Sequence, residues 1–239
     1  MGRTVHLFGQ SFDGEKASLE KTVQAKRLLE TPLSKRDQHW IKQFIHLLPF
    51  IYLDLDENEV QLQDDGYPYI KAIGCSSSES FSIVENLDLF LENGFGLFIE
   101  TKQVDWFLTF GDLLSYYLNK EFYVDEDHYF DDMDDSGQLE NEEDMLIGQP
   151  AEEILPNFAR KHLREFLKHV GINNPKTALL IQKQNGKVLK NLLFNCSPSN
   201  FINQNEYQEV LKSIAWFLPK HYSFLAIDEK ELGNHLVSL

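Results

Sequence analysis

Residues 125–144 hold eleven Asp and Glu side chains and no Lys or Arg. Two kinds of chemistry are open to such a cluster: holding a cation, or presenting negative charge to a basic partner. The order Asp132-Met133-Asp134-Asp135-Ser136-Gly137-Gln138-Leu139-Glu140-Asn141-Glu142-Glu143 follows the calcium loop of an EF-hand. Asp132, Asp134 and Ser136 take the first, third and fifth positions, and Gly137 takes the sharp turn. Gln138 offers its backbone carbonyl, and Glu143 stands where a bidentate carboxylate closes the cage. Calcium needs six to eight hard oxygens, and these residue types supply them. Against this, the exit helix would have to run through Met145 and Ile147 into Gly148 and Pro150, and no second loop is available to pair with the first.

The same residues serve equally well as a steering surface. Asp127, Asp131, Asp132, Asp134 and Asp135, interleaved with Tyr129 and Phe130, suit a basic groove: carboxylates guide the encounter and aromatic rings anchor it. Inhibitors of cationic toxins work in this way, so an immunity or regulator protein is the leading expectation, with a basic protein as partner. A plain solvated linker is the third possibility.

Enzymatic arrangements are sparse. There is no GxSxG, Walker loop, GxGxxG or HExxH, and Gly94-Phe95-Gly96 is better explained as a helix stop before a strand. His39 and His46, and likewise His162 and His169, are spaced too loosely for metal. An enzyme of unknown class stays open as an alternative; no catalytic residue is nominated.

The net charge of −16 speaks against nucleic acid, which requires a basic face, and against an anionic membrane surface. No apolar run is long enough to span a bilayer. The first residues lack the apolar core of a signal peptide. Cys75 and Cys196, the only cysteines, suit free thiols in a reducing compartment. A cytoplasmic location is therefore expected, with no cofactor beyond a possible calcium ion.

The elements that must position these groups are legible from pattern. A weakly amphipathic helix over 13–30, with Leu19, Val23, Ala25 and Leu28 as its stripe, precedes a stronger one that Ser34 caps and that carries Trp40, Ile41, Phe44, Ile45 and Leu48 on one face. Strands at 50–53, 59–63 and 67–73 come next, the last two around Asp65-Gly66. A helix at 81–92, a hairpin at 96–101 and 105–110, and a helix at 112–122 complete the first half. The second half repeats the order: helix 158–170, strands 177–183 and 187–194 around Asn185-Gly186, helix 204–218 and strand 223–228. Gly66 to Phe81 and Gly186 to Phe201 are equal intervals. Cys75-Ser76 and Cys196-Ser197 succeed the second hairpin strand in each half, and Leu97-Phe98-Ile99-Glu100 matches Leu225-Ala226-Ile227-Asp228 in character. Trp106, Phe107, Phe110, Tyr116, Tyr117, Trp216, Phe217 and Tyr222 suit either a core or a partner groove.

The segment Leu146-Ile147-Gly148-Gln149-Pro150-Ala151-Glu152-Glu153, the hairpin opening Thr177-Ala178-Leu179-Leu180-Ile181 and the approach Pro219-Lys220-His221-Tyr222 resemble the C-terminal domain of the SseB family. These are bacterial proteins named for enhanced serine sensitivity. The hairpin, Ser-rich loop and helix of the first half are similar to that family's N-terminal domain. The resemblance covers about residues 50–110 and 146–228. It implies a cytoplasmic bacterial protein of two α+β domains without established catalytic residues. The fold expected is therefore α+β, in two related domains (1–123 and 146–239), each with helices on a small, mainly antiparallel sheet, joined by an acidic linker at 124–145.

Overall fold

The computed structural model describes residues 4–5, 11–12, 16–63, 65–124, 145–184, 187–232 and 235–239. The fold is α+β, and the chain divides into two compact units, Met1–Phe90 with Phe95–Phe107 and Leu91–Gly94 with Leu108–Leu239.

The first unit opens with β1 (Thr4–Val5) and β2 (Ser11–Phe12), an antiparallel pair. Helix α1 (Leu19–Leu29) begins where the Ser18 hydroxyl accepts the Lys21 N–H. Of its expected stripe only Ala25 is fully buried; Leu19 and Val23 are exposed, because the buried face runs through Thr22 and Ala25. Helix α2 (Gln38–Leu47) is capped by Asp37, whose carboxylate accepts the Trp40 N–H at 2.8 Å. The expected cap, Ser34, instead lies in a 3₁₀ turn, Leu33–Lys35. The expected strands at 50–53 and 59–63 are one long strand, β3 (Leu53–Leu62), entered from a 3₁₀ turn and shifted in register twice. It pairs with β4 (Pro68–Cys75). Helix α3 (Ile83–Asn93) then carries the chain back so that β5 (Gly96–Ile99) runs parallel to β4, and β6 (Trp106–Leu108) completes the order β3-β4-β5-β6. A parallel neighbour needs such a crossover. Alternation buries Ile70, Ala72, Leu97 and Ile99 on one face of the sheet and places Tyr69, Lys71 and Phe98 on the other.

The second unit comprises α4 (Phe110–Asn119), β7 (Met145–Gly148), α5 (Asn157–His169), β8 (Lys176–Gln184), β9 (Lys187–Phe194), α6 (Gln204–Phe217), β10 (Ser223–Ala226), α7 (Glu229–Leu232) and β11 (Val237–Ser238). Its sheet runs β10-β9-β8-β11, with β7 also along β8. β8 and β9 form the expected hairpin, and β10 is parallel to β9. Phe110 sits at the centre of the helical layer, its ring against Phe158, His162, Trp216 and Phe217. On the sheet, Ala178, Leu180, Leu193 and Leu236 form a second cluster. The aromatics that sequence left open between core and groove are thus mostly core; Phe107, at 46% exposure, is the clear exception.

Each unit contains a hairpin, a Ser-rich loop, a helix and a strand returning parallel to the second hairpin strand. The match extends to single bonds. Glu100 N–H reaches the Ala72 carbonyl and Ile227 N–H reaches the Phe194 carbonyl. Ser76 shares a hydrogen bond with Ser78, and Ser197 with Ser199. The first pair of bonds makes Glu100 the counterpart of Ile227, one residue off the sequence alignment with Asp228.

Helix α4 departs from the expected grouping with residues 1–123. Gly111 lies so close to α6 that a Cβ there would meet the Leu218 carbonyl oxygen at 1.9 Å, and α4 belongs to the second unit. Val124 and Met145, which flank the acidic segment, therefore both fall in one unit.

Candidate functional site

Asp127, Tyr129, Phe130, Asp131, Asp132, Asp134, Asp135, Ser136, Gln138 and Glu143, the nominated partner-binding and calcium residues, all lie outside the described residues. Immediately downstream of them, Met145–Gly148 is a strand, antiparallel to Leu179–Gln182, where an EF-hand would continue into its exit helix. No group of three or more His, Cys, Asp or Glu that could hold a metal occurs among the described residues.

The acidic character extends well beyond that segment. Residues 43–159 hold 27 acidic and 3 basic residues, whereas 1–42 hold 5 and 8, and 160–239 hold 6 and 11. In the first unit the acids are displayed: Asp54, Glu79, Glu85, Asp88, Glu100 and Asp105 are exposed, and Leu89, an exposed apolar side chain, lies beside Asp88 on α3. Alternation on β4 sends Lys71 to the sheet face that also carries the buried rings of Tyr69 and Phe98. There its ammonium lies 3.1 Å from both Asp56 and Glu100, and these two partners hold its pKa up. The lysine is thus already neutralised inside the first unit, and the Lys120 ammonium is turned onto the Tyr117 carbonyl of its own helix. Two of the bases at 16–42 serve helix packing: Arg36 donates to the Thr31 and Leu29 carbonyls and lies over Trp40, and Lys21 lies over Phe50.

In the second unit the polar groups that are held rigidly have structural tasks. Asp112, 0% exposed, closes a capping box with Thr109, accepting the Thr109 N–H while the Thr109 hydroxyl accepts its own. The remaining oxygen pairs with Lys220 at 3.1 Å, and Lys220 also reaches the Tyr123 hydroxyl. Burial lowers the Lys220 pKa, but Asp112 and Tyr123 more than offset it and the net shift is upward. The helix expected from Asp112 begins two residues earlier, after Thr109; the Thr109-x-x-Asp112 spacing is the local signal for that start, whereas nothing local points to Lys220, more than a hundred residues on. At the sheet end Glu229 accepts from Lys176 and Asn195, which draws its pKa down.

No family model matches the chain, and neither a curated protein nor a solved structure matches it. The SseB resemblance accordingly rests on the quoted segments alone.

The histidines raised by sequence spacing separate. His162 is buried, its Nε2 3.0 Å from the Leu91 carbonyl oxygen, and burial lowers its pKa. His169 is exposed at the end of the same helix. Both cysteines are free, and burial pushes each thiol up to about 11, well above the range of reactive thiols. No helix among the described residues is long and apolar enough to cross a membrane.

Proposed function

We propose that the protein is a non-catalytic binding module that engages a basic protein partner through the acid-rich middle of its chain. The observation that carries this reading is the charge partition: 27 acids against 3 bases over residues 43–159, with Lys71 already paired to Asp56 and Glu100. Negative charge so concentrated steers a cationic partner over a Debye length, about 8 Å at physiological salt. Exposed apolar groups such as Leu89 and Phe107 supply the short-range contacts that steering alone lacks. Residues 125–144, with eleven of the acids, are the densest part of that stretch of sequence and the natural first variant.

The test is affinity capture by the intact chain beside a variant carrying Asp131→Asn, Asp132→Asn, Asp134→Asn and Asp135→Asn, at low and high salt, with calcium and with chelator. A basic protein captured by the parent, weakened by the variant and released by salt supports the reading. Capture indifferent to both salt and variant rejects it. Capture that requires calcium would transfer the role to the loop at 132–143.

A further inference from the structure

The chain closes one sheet edge of its second unit with its own short strands. Along β8, β7 takes residues 179–182 and β11 takes Lys176 and Thr177. The β11 segment, Leu236-Val237-Ser238-Leu239, is held in the way an edge-binding peptide is held. Leu239 N–H reaches the Pro175 carbonyl, and alternation makes Val237 and Thr177 the next pair to exchange backbone bonds. Leu236 enters the cluster of Ala178, Leu180 and Leu193 on one face of the sheet. Leu239, three residues on, is directed to the other face and is also buried. There Arg164 of α5 donates to the Leu239 carbonyl oxygen at 2.8 Å. Main-chain bonds give such a groove its grip, and the two leucine sites give it a sequence preference.

One group in the groove is left unserved. Thr177 is 0% exposed, and its hydroxyl has no hydrogen-bond partner among the described residues. The residue directly opposite it on β11 is Val237, whose methyl groups offer nothing to a buried hydroxyl. Threonine has the outline of valine with a hydroxyl in place of one methyl, and threonines facing each other across an antiparallel pair share a hydrogen bond. The segment seated on the edge therefore fits the groove without being its best occupant.

We propose that this groove is a peptide-binding site for an extended Leu-Thr-x-Leu segment of a partner protein, with Leu236-Val237-Ser238-Leu239 as the latch that covers it until that segment displaces it. A latch joined to its own groove competes at an effective concentration of about a millimolar. A partner prevails through what the latch lacks, a hydroxyl opposite Thr177. The site lies wholly in the second unit and stands without the acidic surface.

Three labelled peptides test it by fluorescence anisotropy against the full chain: Asn-His-Leu-Thr-Ser-Leu, the same peptide with Val in place of Thr, and the same with Pro there. Val237→Pro is the variant that opens the groove. It removes a ladder N–H from the latch and leaves Thr177, Arg164 and the leucine sites as they are. It should bind the Thr peptide at least about tenfold more tightly than the parent does, as a covered site behaves once it is freed. Within the variant, the Thr peptide should bind about two- to fivefold more tightly than the Val peptide. The Pro peptide, which lacks the N–H that the ladder needs, should bind at least about tenfold more weakly than either. Adding Thr177→Val should erase the preference for Thr over Val while binding persists. Should Val237→Pro fail to fold, Leu239→Ala, which withdraws one leucine from the latch, takes its place with the same expectations. A folded open variant that binds none of the peptides, binds the Thr peptide no more tightly than the parent, takes the Pro peptide as well as the Thr peptide, or keeps its preference after Thr177→Val would overturn the proposal.

Discussion

Asn191 is the residue whose chemistry fits its surroundings least. It stands on β9 opposite Leu180, on the face that also bears Leu193, and is 1% exposed. Both amide atoms lack a hydrogen-bond partner. Burying an amide without compensation costs about 1–3 kcal/mol, and leucine is close to it in shape. Asn191→Leu is therefore expected to raise unfolding free energy by about 1–2 kcal/mol in a denaturant titration. Unchanged or lower stability would show that the amide is satisfied in solution. Asp112 is the contrasting case. It is equally enclosed, yet one oxygen completes a helix cap and the other meets Lys220, so its charge is compensated at both ends.

At the scale of elements, the contact between α4 and α6 depends on Gly111. A Cβ placed there would lie 1.9 Å from a backbone oxygen, Leu218 O, which has no rotamer by which to yield. Gly111→Ala should cost about 3 kcal/mol, the upper end of ordinary overpacking, visible as a lower denaturation midpoint; a loss below about 0.5 kcal/mol would mean that the helices separate freely. The same contact explains where sequence reasoning succeeded and stopped. The antiparallel pairs β3–β4 and β8–β9, the α3 stop at Gly94 and the span of α6 were legible, because turn residues and helical periodicity are local signals. The grouping of α4 was not, since a glycine at its start reads locally as a weak helix residue and only the distant Leu218 gives it meaning. β7 escaped for a related reason: four residues carry too little alternation to declare a strand before β8 is there to pair with. The dense acids of the proposed site were plain in the sequence. The wider partition was equally present in it, but Lys71 counts as a free base until β3 and β5 bring Asp56 and Glu100 beside it.

For the molecule as a whole, a net charge of −16 sets self-repulsion against a few ion pairs, and the two respond to salt in opposite directions. Screening weakens the attraction of Lys176 for Glu229 and Lys212 for Glu209, which are at or near the surface, and surface pairs are worth at most about 1 kcal/mol each. It also relieves repulsion among 27 acids gathered in one stretch of the chain, a larger and more numerous set of interactions. The Lys220 pair, anchored on a fully buried carboxylate, is the least sensitive to salt. The balance favours relief. Raising sodium chloride from about 10 mM to about 300 mM, which shortens the Debye length from about 30 Å to below 8 Å, is expected to raise the melting temperature by about 2–4 °C, the shift that 1 kcal/mol produces in a chain of this size. The variant with Asp131, Asp132, Asp134 and Asp135 changed to Asn should begin higher at low salt and gain less from it, because part of the repulsion is already gone. A melting temperature that falls with salt would place the dominant electrostatics in the attractive pairs, and the acid-rich stretch would then be too well compensated to steer a partner. Stability in salt thus reports on the same charge that the proposed binding requires, and it does so before any partner is in hand.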